Sequence, residues 1–123
     1  SACGGVRAFA TVGVAHALAA AGRLPRSVPK VGTINLLVLA DLPLTDAGLV
    51  GALQTAVEAK AQALSDARIL AANAEGFATG TATDSVCVAC PPGESVAFAG
   101  PATAVGASIA RAVHEAVLAG AGR

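Results

Sequence analysis

Three threonines alternate through the run Ala78 to Asp84 (ATGTATD): Thr79, Thr81 and Thr83, with Gly80 between the first two and Asp84 closing it. Hydroxyls and loop N–H groups at this density can hold a polar ligand or a developing oxyanion. The same residues can also simply cap the backbone of a polar loop. Lys60 is the second candidate. At about 100° per helical residue it lines up with Leu53 and Ala56, inside an apolar stripe. A lysine there either runs its stem over the core and lifts its amine out, or is a partly buried ammonium paired with an anion, such as Asp84 or a ligand. Glu58 falls on the opposite face with Gln54 and Gln62. That face is a solvated surface, or Glu58 is a general base if it lines a cleft. Asn35 interrupts an apolar strand, and its amide needs partners from a neighbouring backbone or a ligand. His16 follows a strand, where site residues gather, and reads equally as a structural histidine. His114 falls near the outer face of the last helix, in solvent.

Other chemistries find little support. There is no nucleophile elbow, P-loop, H-E-x-x-H or dinucleotide fingerprint. Cys87 and Cys90 form a C-x-x-C, but on a strand their side chains point to opposite faces. Three cysteines are an odd number, which argues against a disulfide framework, so buried small hydrophobes are the expected role. No metal or cofactor is called for. Ser1 would be an N-terminal nucleophile only if self-cleavage produced the terminus.

The elements that must position these residues come from an unusual composition. The chain has 123 residues, 54% of them hydrophobic but only 2% aromatic and 13% charged, with eight basic and eight acidic side chains. The length suits one domain with one core, built here from small aliphatics. A neutral chain without a basic patch gives nucleic acid no footprint. So few charges imply covered surfaces, hence a homo-oligomer or a missing part of the chain. The chain has no methionine and begins Ser1-Ala2-Cys3, which implies a processed, trimmed or incomplete product. No signal peptide is visible, and the longest apolar run is far below the ~20 residues of a membrane helix. A cytoplasmic protein with no membrane contact is expected.

Val6 to Val14 reads as a buried strand, and alanine-rich Ala15 to Ala21 as a short helix. Gly22 to Lys30, with Pro25 and Pro29, is a loop. Gly32 to Asp41 is the clearest strand, and its continuous apolar run predicts burial on both faces. Thr45 is a good N-cap for a helix reaching about Leu64, with Leu49, Leu53, Ala56, Val57 and Leu64 on its stripe. Asp66 to Phe77 is irregular. Asp84 to Cys90 is a strand, and Val96 to Ala99 a short one, paired with it as a hairpin. The last helix covers about Ala102 to Leu118, with Arg111 and Glu115 paired four apart on its outer face. The sum is a single-domain α/β fold: a mixed, largely buried sheet covered by at least two helices.

With these residues in place, the chain resembles the adenosylcobinamide amidohydrolase family of corrinoid salvage. Four blocks carry the resemblance in order: GTINLLVLADLPLTDAGLV, AVEAKAQAL, ATGTATDSVCVA and FAGPATAVGASIARAVHEAV, from Gly32 to Val117, with weaker similarity at ATVGVAH. The family has more chain before this region, so the match is to its C-terminal part. The resemblance implies hydrolysis of the amide joining the aminopropanol arm to the corrin ring, giving adenosylcobyric acid. A corrinoid would then be the small-molecule partner. It also implies that Asn35, Glu58, Lys60, Thr79, Thr81, Thr83 and Asp84 occupy motif positions. On that reading Glu58, Asp84 and Lys60 are catalytic, while Asn35, Thr79, Gly80, Thr81, Thr83 and His16 bind substrate. His16 stands where the family has asparagine, Ala82 replaces a glycine, Val57 a threonine and His114 a tyrosine. The rival function is a non-catalytic corrinoid-binding or structural α/β module.

Overall fold

The computed structural model describes residues 1–27 and 32–122. Four strands lie in the order β1 (Ala2–Cys3), β2 (Val6–Val12), β3 (Ile34–Ala40), β4 (Ser85–Ala89). The pairs β1–β2 and β2–β3 are antiparallel, while β3 and β4 run parallel. Parallel pairing needs a crossover, and α1 (Asp46–Asp66) supplies it. The second helix, α2 (Ala104–Ala121), packs beside α1 and under β2. This is the mixed α/β sheet with two covering helices that the sequence implies. Of the expected Gly22 to Lys30 loop, the stretch 28–30 lies outside the described residues.

Both helices start at a threonine that closes their first turn. The Thr45 hydroxyl accepts from Gly48 N–H at 3.0 Å and that of Thr103 from Gly106 N–H at 3.1 Å. The buried face of α1 is Ala52, Thr55, Ala56, Ala59, Lys60, Ala63 and Leu64. Leu53 and Val57, expected on that stripe, turn outward. Small side chains let α1 approach the sheet and α2 closely, so the alanines rather than the larger residues define its inner phase. Gly106 of α2 serves the same end, because a Cβ there would lie 1.9 Å from the Gly100 carbonyl oxygen.

Burial on both faces of the sheet does not hold. Ile34, Leu36, Val38 and Ala40 face the helices, whereas Asn35 and Leu37 are exposed. Helices cover one side only, so the alternate residues meet solvent. Ala15 to Ala21 forms no helix, being too short to nucleate one and tied instead to a distant loop through the Leu18–Gly80 bridge. Val96 to Ala99 forms no hairpin with β4. Val96 makes a parallel bridge with Leu44 instead, after Pro91 and Pro92 end the strand. Arg111 and Glu115 form no ion pair. Glu115 accepts from the Ser1 hydroxyl, and His114 meets Asp66 at 2.7 Å, tying α2 to the end of α1. Among the described residues no helix is long and apolar enough to cross a membrane.

Candidate active site

The chain enters β4 through the threonine loop, and Asp84 is its last residue before the strand. Register sets Asn35 beside Ser85, so Asp84 sits next to Ile34 at the start of β3. The Ile34 N–H donates to Asp84 Oδ1 at 3.0 Å. Asp84 Oδ2 accepts from Thr81 N–H at 3.0 Å and from Lys60 Nζ at 2.6 Å. The Thr81 hydroxyl donates to Oδ1. Lys60 is 7% exposed, so its ammonium is the partly buried paired cation, not a solvated one. Lys60, remote in sequence, therefore converges on Thr81 and Asp84.

Burial acts to raise the Asp84 pKa. Hydrogen bonds from Lys60 and Thr81, with the Lys60 charge, outweigh it and hold the carboxyl below the ordinary carboxylate range. Gly80 is buried against the pair, and a Cβ there would lie 2.3 Å from Asp84 Oδ2 and 2.8 Å from Lys60 Nζ. Its glycine identity follows from that close approach.

The trio lies on a cleft of about 570 Å3 whose other walls include Leu18–Ala20, Gly22–Pro25, Val57, Asn73, Thr79 and Ala82. The loop opposite is held by specific bonds. Thr79 Oγ1 accepts from Ala20 N–H at 2.9 Å, and Leu18 N–H donates to the Gly80 carbonyl at 2.8 Å. Asn73, 8% exposed, accepts from Ala19 N–H at 2.8 Å and donates to the Ala19 and Arg23 carbonyls at 3.1 and 2.9 Å. Sequence reasoning missed Asn73 and Arg23. The available signal for Asn73 was a lone amide in an apolar run (ILAANA), the argument that singled out Asn35.

The remaining candidates lie elsewhere. Thr83 is exposed, and its carbonyl accepts from the Thr33 hydroxyl at 2.8 Å. His16 lines an adjoining hollow of about 400 Å3 that shares Leu18, Arg23, Leu24, Pro25 and Asn73 with the cleft. Glu58 is exposed and borders a separate depression with Thr55, Phe98 and Gly100. Asn35 is on the uncovered sheet face, donating to the Thr11 hydroxyl at 3.1 Å and accepting from the Ser85 hydroxyl at 2.7 Å. These three form a polar row across β2, β3 and β4. Cross-strand partners therefore satisfy the amide without a ligand. The cysteines are unpaired thiols; Cys90 Sγ accepts from Leu44 N–H at 3.4 Å. Among the described residues no three His, Cys, Asp or Glu side chains gather as a metal site.

The adenosylcobinamide amidohydrolase family model matches residues 2–123. The chain belongs to this family. The match is wider than the resemblance over roughly residues 32–117, and takes in the His16 loop. The chain is 40% identical over 124 residues to an adenosylcobinamide amidohydrolase of Halobacterium salinarum, covering 94% of this chain and 49% of that one. It is 36% identical over 94 residues to an uncharacterised protein of Methanocaldococcus jannaschii, covering 74% and 37% respectively. The chain thus spans about half the length, or less, of the curated relatives it matches. No solved structure matches it. The cleft brings together Lys60, Thr79, Thr81 and Asp84, four of the residues that the resemblance implies as motif positions, with Gly80 beside them.

Proposed function

We propose that the cleft hydrolyses the amide between the aminopropanol arm and the corrin ring of adenosylcobinamide, giving adenosylcobyric acid in salvage of cobalamin precursors. The observation that carries this reading is the convergence of an ammonium, a carboxylate and a hydroxyl on one cleft. A corrin ring with its side arms is larger than the cleft, so the arm enters and the ring rests outside.

Of the two carboxylates, Asp84 is on the cleft, and it is the one we assign. Its low proton affinity would make it a poor base alone. Lys60 removes that difficulty. As the Thr81 oxygen bonds to the carbonyl carbon, its proton passes to Asp84, while the Lys60 ammonium gives a proton to the nitrogen of the breaking C–N bond. Losing the neighbouring positive charge raises the proton affinity of Asp84 in step. Transfer within the pair restores it, and water cleaves the resulting ester by the same sequence. Released aminopropanol is the assay. Asp84→Asn and Lys60→Met are each expected to slow hydrolysis by about 10²–10⁴-fold, the usual range for acid–base groups, while Glu58→Gln stays close to the parent. Full hydrolysis by Asp84→Asn would discard the assignment.

The rival reading, a corrinoid-binding module without chemistry, draws on the four donors already on Asp84, which suit a purely structural carboxylate. A corrinoid spectral change without released amine would favour it. We place the protein in the cytoplasm, where its unpaired thiols would persist. We also propose a homo-oligomer that completes the wall of the cleft, supported by exposed Val50, Leu53, Val57 and Phe98.

A further inference from the structure

The hollow beside the cleft carries a charge pattern that amide cleavage does not use. Arg23, Arg26 and His16 line it, and among the described residues no acidic side chain does. Among the described residues the ion pairs are Lys60–Asp84 and His114–Asp66, so neither guanidinium has a carboxylate partner. The root of Arg23 is fixed nonetheless. Its N–H donates to the Asn73 carbonyl at 2.9 Å, and its own carbonyl accepts from Asn73 Nδ2 at 2.9 Å. A side chain at the preceding Gly22 would collide with that amide, its Cβ 2.5 Å from Asn73 Nδ2. The Arg23 backbone is thus clamped while its charged head is left without a carboxylate, the arrangement that lowers the entropic cost of binding an anion.

We propose that this hollow is a phosphate subsite, one that takes a phosphate ester on the hydroxyl of the departing amino alcohol. The proposal rests on the amidohydrolase reading for the identity of the arm. Two chemical facts select phosphate. The hydroxyl of aminopropanol is only two carbons from the amide nitrogen, so a group esterified to it lies beside the cut bond, and the hollow shares a wall with the cleft. Two planar guanidinium forks also offer more donors than the two oxygens of a carboxylate use, whereas a phosphate monoester presents three terminal oxygens and nearly two negative charges.

The test uses the parent chain and Arg23→Ala/Arg26→Ala, each checked for folding by circular dichroism. Inorganic phosphate is titrated by calorimetry and by the His16 ring NMR signals. KM is then measured for adenosylcobinamide and for its phosphate ester. The expected result is phosphate binding by the parent that perturbs His16 and weakens about tenfold or more in the double variant. KM for the ester should rise by at least that factor relative to KM for adenosylcobinamide. Phosphate binding that is absent from the parent, or equal in both proteins, overturns the proposal. So does an equal change in KM for both corrinoids, or an arginine-dependent response to adenosylcobyric acid with none to phosphate. Arginine-dependent phosphate binding in a protein that hydrolyses neither corrinoid upholds the subsite and discards the amidohydrolase reading.

Discussion

Asp84 is reached by Lys60 from α1, by Ile34 from the start of β3 and by Thr81 from its own loop, so one carboxylate locks three parts of the chain together. Because its folded pKa is depressed, the stability it contributes is fully present above the unfolded-state value of about 3.9. That contribution is lost as pH falls from there through the depressed folded value. Denaturation midpoints of the parent and Asp84→Asn, compared across this range, should show a gap that is constant near neutrality and narrows on acidification. A gap that widened would contradict the assignment. Lys60 was legible as an anomaly within an apolar stripe, with two readings open, an amine lifted into solvent or an ammonium paired with Asp84 or a ligand; burial of the amine on Asp84 selects the second. Asn35 and Glu58 were not legible in the same way. A strand alternates its side chains, and only the side covered by helices decides whether Asn35 meets the cleft or the polar row with Thr11 and Ser85.

The helices show where periodicity is a reliable guide and where it misleads. Thr45 as a cap, and the approximate span of α1, followed from local chemistry. The phase of α1 did not, because hydrophobicity ranks leucine above alanine while close packing here selects alanine. The helix ends with Ile69 N–H bonded to the Leu64 carbonyl at 3.0 Å and Arg68 N–H to that of Ser65 at 2.9 Å, the paired closure of a Schellman motif. Arg68 occupies its left-handed position with φ 59°, where glycine is favoured. Its guanidinium lies 5.6 Å from the Phe77 ring centroid, a cation–π contact that offsets part of the strain. Arg68→Ala loses the contact and keeps the strain; Arg68→Gly loses both. The glycine variant should therefore be the more stable of the two by about 1 kcal/mol in urea unfolding. An alanine variant of equal or greater stability would contradict the strain.

On the scale of the molecule, the site lies at the N-terminal ends of β3 and β4, opposite to the carboxyl ends favoured in open parallel sheets. With one parallel pair in the sheet, the determining feature is the α1 crossover, which brings Lys60 back over the start of β4. Phe9 and Leu37 are exposed on the uncovered sheet face, and Val50, Leu53 and Val57 on α1, and clustered apolar side chains of this kind are surfaces that a second copy can cover. Light scattering at micromolar concentration should find an assembly larger than one chain, and a strictly monomeric species would remove the proposed shared wall. The low charge content made covered surface foreseeable, but which surface could not be read until the helices had chosen a side. Among the described residues the strand order also leaves β4 at a margin, with one row of backbone amides and carbonyls lacking a ladder partner, along a segment (SVCVA) without proline or charge. Such a rim templates the addition of foreign strands, so concentrated solutions should accumulate thioflavin-positive fibrils. Placing a lysine at outward-facing Cys87 is expected to suppress them.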